Sequence, residues 1–125
     1  MKMKKPNPLK EKSFKYAVRI IELFKYLRKQ KKEFILSAQI LRSGTSIGAN
    51  IREAQNAQSK TDFIHKLFVS QKECDENLYW LELLEVAEFI SKDEFDSLSK
   101  DANELLMMLR SSIITARRNL NSTKK

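Results

Sequence analysis

The sequence predicts an all-α protein, an antiparallel up-down-up-down four-helix bundle. Three observations carry this. The 125 residues include only two glycines and two prolines, and both prolines (Pro6, Pro8) stand at the N-terminus, so nothing forces a break after residue 8. Four segments place apolar residues at i, i+3 and i+4, the helical period, and no alternating strand pattern competes. The polar tracts between them are short, which makes successive helices antiparallel neighbours. The expected organisation is one domain: a basic tail over 1–8, the bundle over 9–118 and a polar basic tail over 119–125.

The first helix is expected over 9–30. Asn7 before Pro8 reads as a cap and first-turn pair. Phe14, Ala17, Val18, Ile21, Phe24 and Leu27 give it an apolar stripe, which leaves Tyr16 and Tyr26 as its exposed aromatics. Gln30-Lys31-Lys32 makes a polar turn. The second helix, over 33–57, carries two stripes: Phe34, Ala38, Leu41, Thr45, Gly48, Arg52 and Ile40, Gly44, Ile47, Ile51, Ala54. Two stripes imply two buried faces, one inside the monomer and one against a partner chain.

Ser59-Lys60-Thr61-Asp62 resembles a capping box with Asp in place of Glu, and opens the third helix over 60–89. Its stripe is Phe63, Leu67, Ser70, Cys74, Asn77, Leu81 and Leu84, with Trp80 at the edge. Ser91-Lys92-Asp93-Glu94 is a full capping box and opens the fourth helix over 92–118. Phe95, Leu98, Ala102, Leu105, Leu109, Ile113 and Ala116 form its core stripe. The residues from Asn119 onward read as frayed.

The net charge of +8 is unevenly spread. Residues 1–32 carry 12 Lys/Arg and 2 acids, residues 33–109 carry 7 and 14, and residues 110–125 carry 5 and none. In the expected topology the chain start and the end of the fourth helix share one end of the bundle. Lys2, Lys4, Lys5, Lys10 and Lys12 then join Arg117, Arg118, Lys124 and Lys125 in one positive pole suited to polyanions. The residues expected to meet nucleic acid are Lys10, Lys12, Lys15, Arg19, Arg117 and Arg118. The bland alternative is a soluble surface with lysine-rich tails. The single cysteine excludes an intrachain disulfide and fits a reducing cytoplasm. No apolar run approaches the ~20 residues of a membrane span, and no h-region follows the basic N-terminus.

The segment Leu41-Arg42-Ser43-Gly44-Thr45-Ser46-Ile47-Gly48-Ala49-Asn50-Ile51-Arg52-Glu53-Ala54 holds both glycines, four apart. A helix-interior glycine costs about 1 kcal/mol relative to alanine, so the pair points to a face another backbone approaches. This segment resembles the signature of the bacterial four-helix-bundle family also called the 23S rRNA-intervening-sequence protein family. Gln58-Ser59-Lys60-Thr61-Asp62-Phe63-Ile64-His65-Lys66-Leu67 and Glu76-Asn77-Leu78-Tyr79-Trp80-Leu81-Glu82-Leu83-Leu84 resemble it too, as do Glu11-Lys12-Ser13-Phe14 and Ala17-Val18-Arg19-Ile20. The resemblance covers roughly residues 11–115. It implies an antiparallel bundle that assembles as a homopentamer, with RNA association suggested because some members are encoded within large-subunit ribosomal RNA genes. The family is similar to the accessory protein of diversity-generating retroelements, a basic pentameric bundle that works with nucleic acid. It supplies no catalytic residues.

Chemistry finds no foothold in the sequence. His65 is the only histidine and lacks companion ligands, so no metal is expected. Cys74 falls on a core stripe with no base to activate it. Glu73, Asp75 and Glu76 lack the Glu-x-x-His partner of a ferritin-like site. No catalytic residue, cofactor or small-molecule substrate is therefore expected, and the protein reads as a non-enzyme. Gly44, Ser46, Gly48, Asn50 and Glu53 are assigned to the signature and to assembly. Asn50 and Glu53 are read either as a ligand- or RNA-binding patch or as a structural network, the latter favoured. Arg42 and Arg52 suit phosphate, or acids such as Glu73 and Glu76 on the third helix. The rival to nucleic-acid association is a protein–protein scaffold.

Overall fold

The computed structural model describes residues 7–123, so Lys2, Lys4, Lys5, Lys124 and Lys125 lie outside the described residues. Four helices, α1 (Pro8–Lys29), α2 (Leu36–Gln55), α3 (Lys60–Val86) and α4 (Lys92–Thr123), form an all-α bundle. The capping chemistry sets most of their starts. The Asn7 side chain accepts from the Lys10 N–H at 3.1 Å with Pro8 in the first turn. Ser59 accepts from the Asp62 N–H at 3.0 Å. Ser91 and Glu94 satisfy each other's N–H groups at 3.3 and 3.1 Å, the reciprocal box the spacing predicts.

Three boundaries differ from expectation. The second helix begins at Leu36, not residue 33, because the Glu33 carboxylate sits before it as the cap, accepting from Leu36 N (2.9 Å) and Ser37 N (2.7 Å). The third helix stops at Val86, three residues early. Glu88 adopts φ 65°, and the N–H groups of Glu88 and Phe89 turn back to Glu85 and Leu84 at 3.0 and 2.8 Å. That is the Schellman closure, with a glutamate where glycine is usual. The fourth helix does not fray at 118 but runs to Thr123, since Leu120 extends its apolar stripe one turn past Ala116 and packs against the core.

Side-chain contacts fix the arrangement. Ile20 and Ser13 of α1 lie against Gly44 and Gly48 of α2, in descending order against ascending. Asn77, Ser70 and Lys66 of α3 meet Ser43, Ile47 and Glu53 of α2 in the same inverted sense. Arg19 and Lys12 of α1 reach Asp101 and Glu104 of α4. Each neighbouring pair is therefore antiparallel, α1 beside α2 and α4, with α3 across the bundle from α1.

The core stripes of α3 and α4 are as expected: Leu67, Ser70, Cys74, Asn77, Leu81 and Leu84 face Leu98, Ala102, Leu105, Leu109 and Ile113. On α2 the Ile40–Ala54 stripe is the inward one. The expectation for α1 is corrected. Its buried residues are Ser13, Tyr16, Ile20, Leu23 and Leu27. Tyr16 is 1% exposed, whereas Phe14 is 61% exposed, and Val18 and Ile21 are exposed with it. Two apolar arcs compete on this helix. The inward arc wins because its small Ser13 fits against Gly48, and because the phenol of Tyr16 finds a buried partner.

That partner is Asn77. The Tyr16 hydroxyl donates to Asn77 Oδ1 at 2.5 Å, and Asn77 Nδ2 donates to Ile40 O (3.2 Å) and Ser43 Oγ (3.1 Å). Ser43 donates onward to Gln39 O, and Ser70 Oγ to Ile47 O at 2.8 Å. Every buried side-chain polar atom among the described residues has a partner. A satisfied network of this kind specifies register, since a shift by one turn would orphan several groups at once.

Candidate functional site

The glycine segment faces inward, onto its own chain. A Cβ on Gly44 would lie 2.7 and 2.8 Å from the Ile20 side chain and 3.0 Å from Asn77 Nδ2. A Cβ on Gly48 would lie 3.3 Å from Ser13 Oγ. Both glycines thus let α1 approach α2 within the monomer. Ser46 and Asn50 turn back to their own helix, Ser46 Oγ to Arg42 O at 2.6 Å and Asn50 Nδ2 to Ser46 O at 2.8 Å. Glu53 holds Lys66 of α3 at 3.1 Å. The buried network expected around Asn50 is instead built by Asn77, Tyr16 and Ser43. Its sequence signal was available: an asparagine on the core stripe of α3, which demands several partners.

Beside Gly48 a shallow groove runs between α1 and α2, lined by Lys10, Phe14, Ala17, Thr45, Ala49 and Arg52 among others. Its outer wall continues along α1 as the exposed Phe14, Val18 and Ile21.

The six basic residues assigned to nucleic acid are not equally free. Lys12 bridges Glu104 at 2.5 Å, and Arg19 bridges Asp101 at 2.7 Å while also bonding Ser97. Both tie α1 to α4. Arg117 lies over the Phe68 ring, 4.6 Å from its centroid, which leaves its charge available. Lys10, Lys15 and Arg118 are exposed and carry no ion pair among the described residues. The bundle end formed by residues 7–15, 52–66 and 104–118 nonetheless holds nine Lys/Arg against four acids. Arg42 takes the acidic partners foreseen for it, Glu73 at 3.0 Å and Glu76, which also accepts from Trp80 Nε1. Arg52 is exposed on the groove.

The candidates for chemistry are structural. Cys74 is free and buried, and its Sγ lies 3.2 Å from Ala102 O. Burial first, then the Asp75 charge, push the thiol up to about 12, against a smaller opposing pull from Arg110, so no reactive thiolate is available near neutrality. Burial likewise holds the Tyr16 phenol above its ordinary range. His65 is exposed, and no group of three or more potential metal ligands occurs among the described residues. No described helix is long and apolar enough to cross a membrane.

Comparison with known proteins agrees with this architecture. A family model described as 23S rRNA-intervening sequence protein matches residues 7–111. The crystal structure of a protein of unknown function from the S23 ribosomal protein family of Bacteroides thetaiotaomicron is 52% identical. It has a TM-score of 0.84, and the match covers 84% of this chain and 97% of that one. No curated protein matches.

Proposed function

Because this chain belongs to the 23S rRNA-intervening sequence protein family, we propose that it is a non-enzymatic, self-associating bundle that binds RNA through its basic end. The carrying observation is the surplus of nine Lys/Arg over four acids there, with Lys10, Lys15 and Arg118 free of ion pairs among the described residues. Such a surface reads charge and shape, not base edges, so its affinity comes from counterion release. The free, unreactive Cys74 is compatible with a cytoplasmic setting.

If Lys10, Lys15, Arg117 and Arg118 each meet one phosphate, affinity for single-stranded RNA should fall roughly 50-fold between about 50 and 200 mM salt. Fluorescence anisotropy on labelled RNA checks this, with Lys10→Glu/Lys15→Glu/Arg118→Glu expected to abolish most of the binding. No affinity at low salt, or affinity indifferent to salt, would overturn it. A second reading, a protein–protein scaffold, is favoured by the exposed Phe14, Val18 and Ile21. It would stand if RNA binding failed while a specific partner protein bound this strip.

A further inference from the structure

The basic end of the bundle has an uncharged pocket in it. The pocket opens between the start of α1 and the second half of α4 and holds about 590 Å³, the size of sites that take small ligands between helices. Ile51 and Leu67, each 2% exposed, form its floor. Pro8, Leu9, Phe63, Met107 and Met108 supply the rest of its apolar surface. Asn7, Gln55, Ser111 and Ser112 complete the lining, so no charged residue lines it although nine Lys/Arg populate this end.

The opening exists because α1 and α4 end at different heights. Lys12 reaches Glu104 and the two helices are antiparallel, so Pro8 stands level with residues 107–112. Helix α4 continues from Ser112 to Thr123, about 16 Å beyond the first residue of α1. Met107 (67% exposed), Ser111, Ile114 (57% exposed) and Arg118 follow one another on one face of α4 at helical spacing. That face leads from the pocket to a cation with no ion pair among the described residues. Lys10 and Arg110 adjoin the lining residues Leu9 and Ser111 in the chain, and both are exposed.

The polar part of the lining has bonding capacity to spare. Ser43, Thr45 and Ser46 give their hydroxyls to carbonyls of the preceding turn. Gln55, Ser111 and Ser112 make no side-chain hydrogen bond among the described residues. Hydroxyls and amides both donate and accept, so these groups suit a polar edge of either kind.

We propose that this pocket receives one unstacked base of single-stranded RNA, with the neighbouring phosphates on Lys10, Arg110 and Arg118. This rests on the RNA binding proposed above and specifies the strand: single, with its bases free. A base has two apolar faces and a polar edge, which is the pattern of the lining. Phe63 offers a ring, and the thioethers of Met107 and Met108 favour contact with aromatic faces. Bases paired in a duplex stay stacked and cannot enter. A lipid anion needs a cation fixed in the lining to meet its single charge, and the lining has none. A strand carries its charge spread along the backbone, as the cations around this pocket are spread.

The test sets a labelled mixed-sequence single-stranded RNA against an abasic ribose–phosphate strand of equal length and charge, by fluorescence anisotropy at one salt concentration. The base-bearing strand should bind roughly tenfold tighter. Methyl NMR should show the Met107 and Met108 signals moved by ring current with that strand, and unmoved with the abasic strand or an RNA duplex. Ser111→Leu/Ser112→Leu fills the pocket without changing charge. It should lower the affinity of the base-bearing strand to that of the abasic one and leave the abasic strand's affinity unchanged, with circular dichroism confirming the fold. Equal affinity of the wild-type protein for the two strands, or a base preference that survives in the folded double variant, overturns the proposal while charge-driven RNA binding stands. Methyl signals that move with decanoate and not with RNA overturn it in favour of a lipid anion. No RNA binding at low salt overturns both.

Discussion

Replacing Gly44 with alanine sets helix propensity against packing, and the structure says which wins. Alanine is favoured over glycine inside a helix by about 1 kcal/mol. At Gly44 the added methyl would stand 2.7 and 2.8 Å from two carbons of Ile20 and 3.0 Å from Asn77 Nδ2. Ile20 is fully buried on the facing helix, so its side chain cannot turn out to solvent. Overpacking of this kind costs about 1–3 kcal/mol, and disturbing an Asn77 hydrogen bond adds about 1. The net expectation is a loss of about 2 kcal/mol, or roughly 6–10 °C in Tm for a chain of this size. Gly48→Ala is the internal control: its methyl is crowded only by the Ser13 hydroxyl at 3.3 Å, with Ser13 C and Cβ at an ordinary 3.6 Å, so propensity and crowding nearly cancel and stability should stay within about 0.5 kcal/mol. Urea and thermal unfolding followed by circular dichroism, at one protein concentration throughout, measure both. A Gly44→Ala protein as stable as the parent, or a Gly48→Ala protein that falls as far, would refute the reasoning.

Other perturbations follow from the same geometry. Tyr16→Phe leaves Asn77 Oδ1 buried without its donor and should lower stability by about 1–3 kcal/mol in urea titrations. Glu88→Gly relieves the left-handed backbone at φ 65° and should raise Tm, by about 0.5–1 kcal/mol of stability. The Cys74 thiol, ordinarily near 9.0, is raised to about 12 in the fold, so its stabilising contribution is complete below pH 9 and is lost as pH rises from there toward 12. Denaturant titrations across that window should show stability falling with pH, with a shallower fall in Cys74→Ala. Gly48→Leu, whose Cβ would already stand 3.3–3.6 Å from Ser13, should impair folding or assembly, as size-exclusion chromatography would show.

Much of the bundle was legible where local chemistry spoke alone. The caps at Asn7, Ser59 and Ser91 are readable from spacing, and the α3 and α4 stripes follow one unambiguous period. The pairing of Arg42 with Glu73 and Glu76 follows from the surplus of acids in the chain's middle. The face of α1 was not legible because counting apolar residues favours Phe14 over Tyr16. The real choice depends on tertiary partners: Asn77 for the phenol and Gly48 for Ser13. Glu33 hid the start of α2 because a glutamate is an unusual cap. The six basic residues looked alike in sequence, and only the positions of Asp101 and Glu104 separate the pinned Lys12 and Arg19 from the free Lys10 and Lys15.

The hydrogen-bond network centred on Asn77 joins side chains of α1, α2 and α3 and none of α4. Helix α4 is held by leucines, by one thiol on its Ala102 carbonyl and by half-exposed ion pairs from Lys12 and Arg19. Apolar contact alone tolerates sliding better than a polar lock does. Stability should therefore be graded across the molecule: we expect the fourth helix to open first, its amide protons exchanging in native-state hydrogen exchange through a partial unfolding that leaves the other three helices intact.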